Sequence, residues 1–169
     1  IWIFFSYFGD ISYWLGFTIS FLLIYPLLEE KDKKRQRWII YYLLPAILLS
    51  YTSSFFLKLV FKVPRVCEGI SMCPKTYAFP SGHATIASAF STMIFLWFSK
   101  NRKIYVPMFI LAILVCYFRL ALKVHTIYDI IGGVAMGTTI SILWYNFFRN
   151  IENRKSKLRL YLRKLIHLS

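Results

Sequence analysis

Tyr77-Ala78-Phe79-Pro80-Ser81-Gly82-His83-Ala84-Thr85 stands where a polar loop runs into a long apolar stretch. Proline fits the first turn of a helix, and a small flexible residue lets backbone N–H groups come close to a ligand. The stretch predicts a helix that starts in polar surroundings and continues through apolar ones. Free N–H groups at a helix start, a hydroxyl and an imidazole together form an anion site with a proton donor attached. Pro80 to His83 equally fits a plain helix start with an incidental histidine, so the rest of the chain decides between the two readings.

On both sides of this junction lie apolar runs of about 20 residues, long enough to cross a bilayer as helices. Of the 169 residues, 58% are hydrophobic and 20% aromatic, and mean hydropathy is +0.55. Soluble domains average about 45–50% apolar residues. The expected fold is all-α, an integral membrane helical bundle with five to six transmembrane helices. Residues 1–148 form its transmembrane domain and 149–169 a basic tail. The spans are read at about 9–28, 38–61, 81–98, 104–120 and 127–148, with Pro45 kinking the second. Trp2, Phe4, Phe5, Tyr7, Phe8 and Trp14 suit a membrane interface, and Asp10 reads as a solvated helix cap. The opening stretch lacks the basic start and small-residue cleavage site of a signal peptide.

The net charge is +14, and its distribution tells more than its size. The segments 29–37, 99–103 and 149–169 share one face of the membrane and hold 15 of the 21 Lys and Arg residues. The other face keeps six: Lys58, Lys62, Arg65, Lys75, Arg119 and Lys123. By the positive-inside rule the first face is cytoplasmic, which puts Pro80 to His83 on the extracytoplasmic side of the cell membrane. The charge is topogenic, and no basic recognition motif points to nucleic acid. Cys67 and Cys73 lie in the outer loop, where a disulfide is permitted and would pin the chain between Arg65 and Pro80. Cys116, mid-span, reads as a packing residue. In the tail, Leu158, Leu162, Leu165 and Ile166 recur at helical spacing among basic residues, as in an amphipathic helix on an anionic leaflet. Gly133 and Gly137, like Ala84 and Ser88, suit close helix contact.

Helix arithmetic gathers the chemistry. His83 starts the third span, a turn falls near Asn101 18 residues on, and Arg119 lies 18 residues beyond that. At about 1.5 Å per residue both arms cover about 27 Å, so Arg119 returns to the level of His83. Lys58, Arg65, His125 and Asp129 flank span ends at that same depth. Cations close to a membrane are costly and functional, and three of them beside a helix start and the Ser81 hydroxyl make a phosphate cradle. His125 and Asp129 are four apart, so on a helix they share a face. A carboxylate at one imidazole nitrogen leaves the other free to attack, while His83 suits proton transfer to a leaving oxygen. The set lacks the carboxylate-rich cluster that phosphate-handling metals prefer, so no metal or other cofactor is expected.

These residues resemble the three-part signature of the type 2 phosphatidic acid phosphatase family, itself similar to the vanadium-dependent haloperoxidases. The first part is Lys58-x6-Arg65, with Val66 where the family has proline; the second is Pro80-Ser81-Gly82-His83. The third is Phe118-Arg119-x5-His125-x3-Asp129, with Phe118 in place of serine, which removes one hydroxyl contact. The resemblance implies that His125 is the nucleophile, Asp129 orients it and His83 is the acid and base. Lys58, Arg65, Ser81, Gly82 and Arg119 would bind phosphate, without metal. The choice of attacking histidine rests on the Asp129 neighbour and on the family. Members usually have about six spans; the remaining one would precede Ile1, or the opening aromatic segment would lie flat in the interface.

The function this implies is a lipid phosphatase at the outer face, working through a phosphohistidine. Candidate substrates are isoprenoid diphosphates such as undecaprenyl diphosphate, phosphatidylglycerophosphate, phosphatidic acid and lipid A phosphate. The alternatives are phosphoryl transfer from lipid to another acceptor, or a non-enzymatic lipid-phosphate binding or transport protein. The expected partners are a lipid phosphate and the bilayer, with no nucleic acid and no obligate protein partner.

Overall fold

The computed structural model describes residues 37–67 and 73–166; the expected span at 9–28 and nearly all of the basic segment 29–37 lie outside the described residues. Helix α1 is Leu44–Phe61, entered through a π-helical turn at Ile39–Leu43. Helix α2 is Gly82–Phe98, α3 is Arg102–Ala121 and α4 is Ile127–Ile166. Ile39–Phe61, Arg102–Ala121 and Ile127–Leu158 are each long and apolar enough to cross a membrane. With 17 residues α2 is shorter, yet at about 1.5 Å per residue it still reaches roughly 26 Å. The chain is a helical membrane protein.

Pro45 does not break its helix. It has no N–H, and its ring crowds the carbonyl four residues back. The helix widens just before it, where Leu44 N–H reaches back five residues to Ile39 O.

Helix α2 packs against all three others, and every residue from Ala84 to Ile94 is buried. Between apolar helices in a bilayer no hydrophobic driving force operates, so association relies on close backbone approach. Gly133 and Gly137 provide it. A Cβ on Gly133 would lie 2.6 Å from Ser81 O and 3.0 Å from Ala84 Cβ; one on Gly137 would lie 2.1 Å from Thr85 O and 2.3 Å from Ser88 Oγ. The small residues singled out in the sequence therefore form the α2–α4 seam. Hydroxyls buried there return to backbone carbonyls: Thr85 Oγ1 donates to Ser81 O at 2.9 Å, and Ser141 Oγ crosses to Ala89 O at 3.2 Å.

At the end of α2 away from Pro80, aromatic rings fill the bundle. Trp38 and Trp97 stand 5.2 Å apart, and Tyr42 meets Phe148 at 5.1 Å and Tyr145 at 5.4 Å, centre to centre. Trp144 Nε1 donates to Tyr41 O at 2.9 Å, and the Tyr42 hydroxyl donates to Glu152. Helix α4 does not stop near 148 but continues unbroken to Ile166, because no glycine or proline between 138 and 166 interrupts it. The expected end of the fifth span at Phe148 is therefore not a helix end. The side chains of Leu162, Leu165 and Ile166, on which the amphipathic reading of the tail rests, lie outside the described residues.

Candidate active site

Helix α1 carries Lys58 in its last turn, where a helix terminus favours a cation. Lys58 Nζ donates to Tyr77 O at 2.8 Å and to Ala78 O at 3.0 Å. The helix ends at Lys62 in the left-handed conformation, φ 47°, and the chain turns outward. Ala78 N–H then joins the returning arm to Val63 O at 2.8 Å. Cys67 and Cys73 are bonded as a disulfide, with Cα atoms 5.5 Å apart, closing the loop between Arg65 and Thr76.

Arg65 bridges two loops. Its Nε donates to Thr76 O at 2.6 Å and Nη2 to Thr76 Oγ1 at 2.9 Å. Its Nη1 donates to Val124 O at 2.9 Å and lies 3.2 Å from His125 Nε2. Arginine carries five N–H donors and no acceptor, so the Nε2 it meets presents a lone pair and the ring proton sits on Nδ1.

The chain enters α2 through a cis Phe79-Pro80 bond, with Ser81 as N-cap. The Ser81 hydroxyl makes no cap bond; it is buried and has no hydrogen-bond partner among the described residues. Ser81 N–H instead donates to Asp129 O at 3.0 Å, which couples the start of α2 to the start of α4. The first N–H groups of a helix have no partner within it. A Cβ on Gly82 would meet only Ser54 Oγ, at an ordinary 3.5 Å, so packing does not require glycine there.

Asn101 caps α3 at the expected turn, and α3 returns Arg119 to this end of the bundle. Val115 and Arg119, one turn apart, are the buried residues of α3, so a guanidinium occupies the inward stripe of a membrane helix.

His125 is not on a helix, contrary to the reading of His125 and Asp129 as neighbours on one helical face. It lies in a bend, and Thr126 is the residue before α4. The turn that starts α4 brings the pair together instead. Asp129 Oδ2 accepts Thr126 N–H at 2.7 Å and stands 3.5 Å from His125 Nδ1, beyond hydrogen-bond length. Both side chains are buried. Burial, then the charges of Arg65, Arg119 and Lys58 and the nearby His83, hold the His125 imidazole far below its usual pKa, hence neutral. Lys58, Arg65, His83 and Arg119, from separate stretches of the chain, thus all lie close enough to act on His125.

The sequence reading missed Thr76 and Thr126. Thr126-x-x-Asp129 is a capping-box pattern and was legible; Thr76 and the carbonyls of Tyr77, Ala78 and Val124 carry no residue-type signal.

At one end of the bundle the ends of four apolar helices and the loops between them gather two histidines, a carboxylate and three cations, the residue types that anion binding and proton transfer call for. Residues 39–152 match the PAP2 superfamily, and the chain belongs to that family. No curated protein matches it significantly in sequence. It is similar in structure to a transmembrane PAP2-type phosphatidylglycerolphosphate phosphatase from Bacillus subtilis, with TM-score 0.71 and 20% identity, over 89% of this chain and 76% of that one. It is also similar to LpxE from Aquifex aeolicus, with TM-score 0.66 and 23% identity, over 86% of this chain and 83% of that one. At these identities the likeness is one of fold.

Proposed function

We propose that this protein is an integral-membrane lipid phosphatase that works through a phosphohistidine at His125, with no metal. The observation that carries the reading is the His125 ring, buried and neutral, with Nε2 3.2 Å from Arg65 Nη1 and Nδ1 turned to Asp129. Membership of the PAP2 superfamily supports it. The phosphate would take the place where Arg65 now touches Nε2, contacted also by Lys58, Arg119, the Ser81 hydroxyl, which has no partner among the described residues, and the first-turn N–H groups at Gly82 that a helix itself leaves open.

Nε2 attacks phosphorus and the bond to the lipid oxygen breaks. His83 gives its proton to that oxygen, and Asp129 stabilises the Nδ1–H of the phosphorylated ring. His83 then takes a proton from water, whose oxygen attacks phosphorus; the P–N bond breaks and inorganic phosphate leaves. Lys58 and Arg65 are held by backbone carbonyls rather than by carboxylates, so their charge remains for the phosphate. By the positive-inside rule the site faces the extracytoplasmic side of the plasma membrane, where it would meet lipid headgroups.

The test is phosphate release by the purified protein in EDTA. The panel is phosphatidylglycerophosphate, phosphatidic acid, an isoprenoid diphosphate and lipid A phosphate. Release from at least one is expected. Binding without release from any would overturn the reading, and a requirement for added divalent metal would overturn the metal-free mechanism.

A further inference from the structure

His125 stands outside α4, so helix geometry does not hold it to Asp129. The hold comes from the turn at Thr126. Thr126 and Asp129 bond each other reciprocally: Thr126 N–H to Asp129 Oδ2 at 2.7 Å, and Asp129 N–H to Thr126 Oγ1 at 3.3 Å. The same carboxylate oxygen faces His125 Nδ1, and the carbonyl of Asp129 accepts Ser81 N–H at 3.0 Å. Asp129, 2% exposed, thus links the His125 turn to the start of α2, and Thr126 sets where it stands.

We infer that Thr126 is a positioning residue of this site, fixing Asp129 and through it the His125 ring; the inference rests on the proposed role of His125. The Thr126 hydroxyl satisfies a donor in the first turn of α4 that the helix itself leaves open. Without it the turn loosens and the carboxylate moves with it. The carboxylate faces Nδ1 at 3.5 Å, just beyond hydrogen-bond length, so a small displacement carries it out of reach of the ring. Lys58 and Arg65 hold to the loop at Thr76–Ala78, and Arg65 also to Val124 O, so neither is bonded to Thr126. The effect of losing the hydroxyl therefore falls on bond formation at Nε2, not on phosphate capture.

The test uses the full chain in detergent with Thr126→Val, which keeps the shape and removes the hydroxyl, and Thr126→Ser, which keeps it. Orthovanadate, which takes an imidazole nitrogen as a ligand, reads the Nε2 bond; inorganic phosphate reads capture alone. Partners that orient a ligating histidine are typically worth about 10- to 100-fold. Thr126→Val should weaken vanadate about tenfold and phosphate less than about twofold, with Thr126→Ser restoring both. With a hydrolysed lipid phosphate, kcat should fall about tenfold while KM holds. Unchanged vanadate affinity, equal weakening of both anions, or no rescue by serine would overturn the inference. Failure of the phosphatase reading looks different: vanadate binds, no lipid releases phosphate, and the vanadate-to-phosphate ratio still decides the role of Thr126.

Discussion

At the Trp38–Trp97 end of the bundle, rings hold the helices; at the His125 end, backbone carbonyls hold cations. The first end is packed by Trp38, Tyr42, Trp97, Tyr145 and Phe148, and polar tips such as Trp144 Nε1 find partners. Among the described residues the Trp38 indole N–H is buried there without a hydrogen bond. At the second end the Ser81 hydroxyl and His125 Nδ1 lack a hydrogen bond among the described residues, and both belong to the proposed phosphate site. Lys58, Arg65 and Arg119 are concentrated there around the single carboxylate of Asp129 among the described residues, in a setting where a bilayer penalises charge. One end is held together by its rings, while the other gathers cations and buried polar atoms, as the proposed phosphate site requires. Substitutions should therefore divide by end, some changing turnover and some changing stability.

The largest effect is expected at His125. His125→Ala should lower phosphate release by about a thousandfold or more while leaving the melting temperature unchanged or raised. Substantial remaining turnover would break the division at its centre. At the ring end, Trp38→Ala should lower stability by about 3 kcal/mol, read by thermal or denaturant unfolding in detergent. The folded fraction should keep kcat and KM; a selective loss of kcat would mean that the ring end takes part in the chemistry.

Two glycines sharpen the contrast. Gly133→Ala drives a Cβ to 2.6 Å from a backbone oxygen and should lower stability by about 2 kcal/mol. Gly82→Ala meets nothing closer than 3.5 Å in the protein, so it should fold normally yet bind phosphate about tenfold more weakly. Equal effects from the two would mean that Gly82 is a packing glycine. The smallest effect is one of pH. The unfolded imidazole titrates near about 6.5, and burial with Arg65, Arg119 and Lys58 nearby depresses the folded value. Stability is then complete above about pH 6.5 and falls as pH drops below it, because the unfolded chain takes up a proton that the folded chain refuses. His125→Ala should flatten the melting-temperature slope between about pH 6.5 and 5; an unchanged slope would place the acid sensitivity elsewhere.

Span positions were legible because a bilayer demands long apolar runs, and those of α1 to α3 fall within a few residues of expectation. The return of Arg119 to the level of His83 followed from helix rise alone, and the α2–α4 seam from small residues four apart. Other features were not legible. The grip on Lys58 and Arg65 comes from carbonyls of Thr76, Tyr77, Ala78 and Val124, and every residue type has a carbonyl. The i,i+4 spacing of His125 and Asp129 invited a helical reading, but Thr126 claims the cap and leaves His125 outside. That the span and the tail helix are one continuous helix was not legible, because basic residues end a membrane span without ending a helix.

The central claim is that His125 carries the phosphoryl group. A lipid phosphate labelled with radioactive phosphorus, mixed with the protein and quenched in alkali within milliseconds, tests it directly. Label is expected on the protein that survives base, is lost in acid, maps to the peptide containing His125, and is absent from His125→Ala. Phosphate release with no protein-bound label at any quench time, or label that persists in His125→Ala, would contradict it.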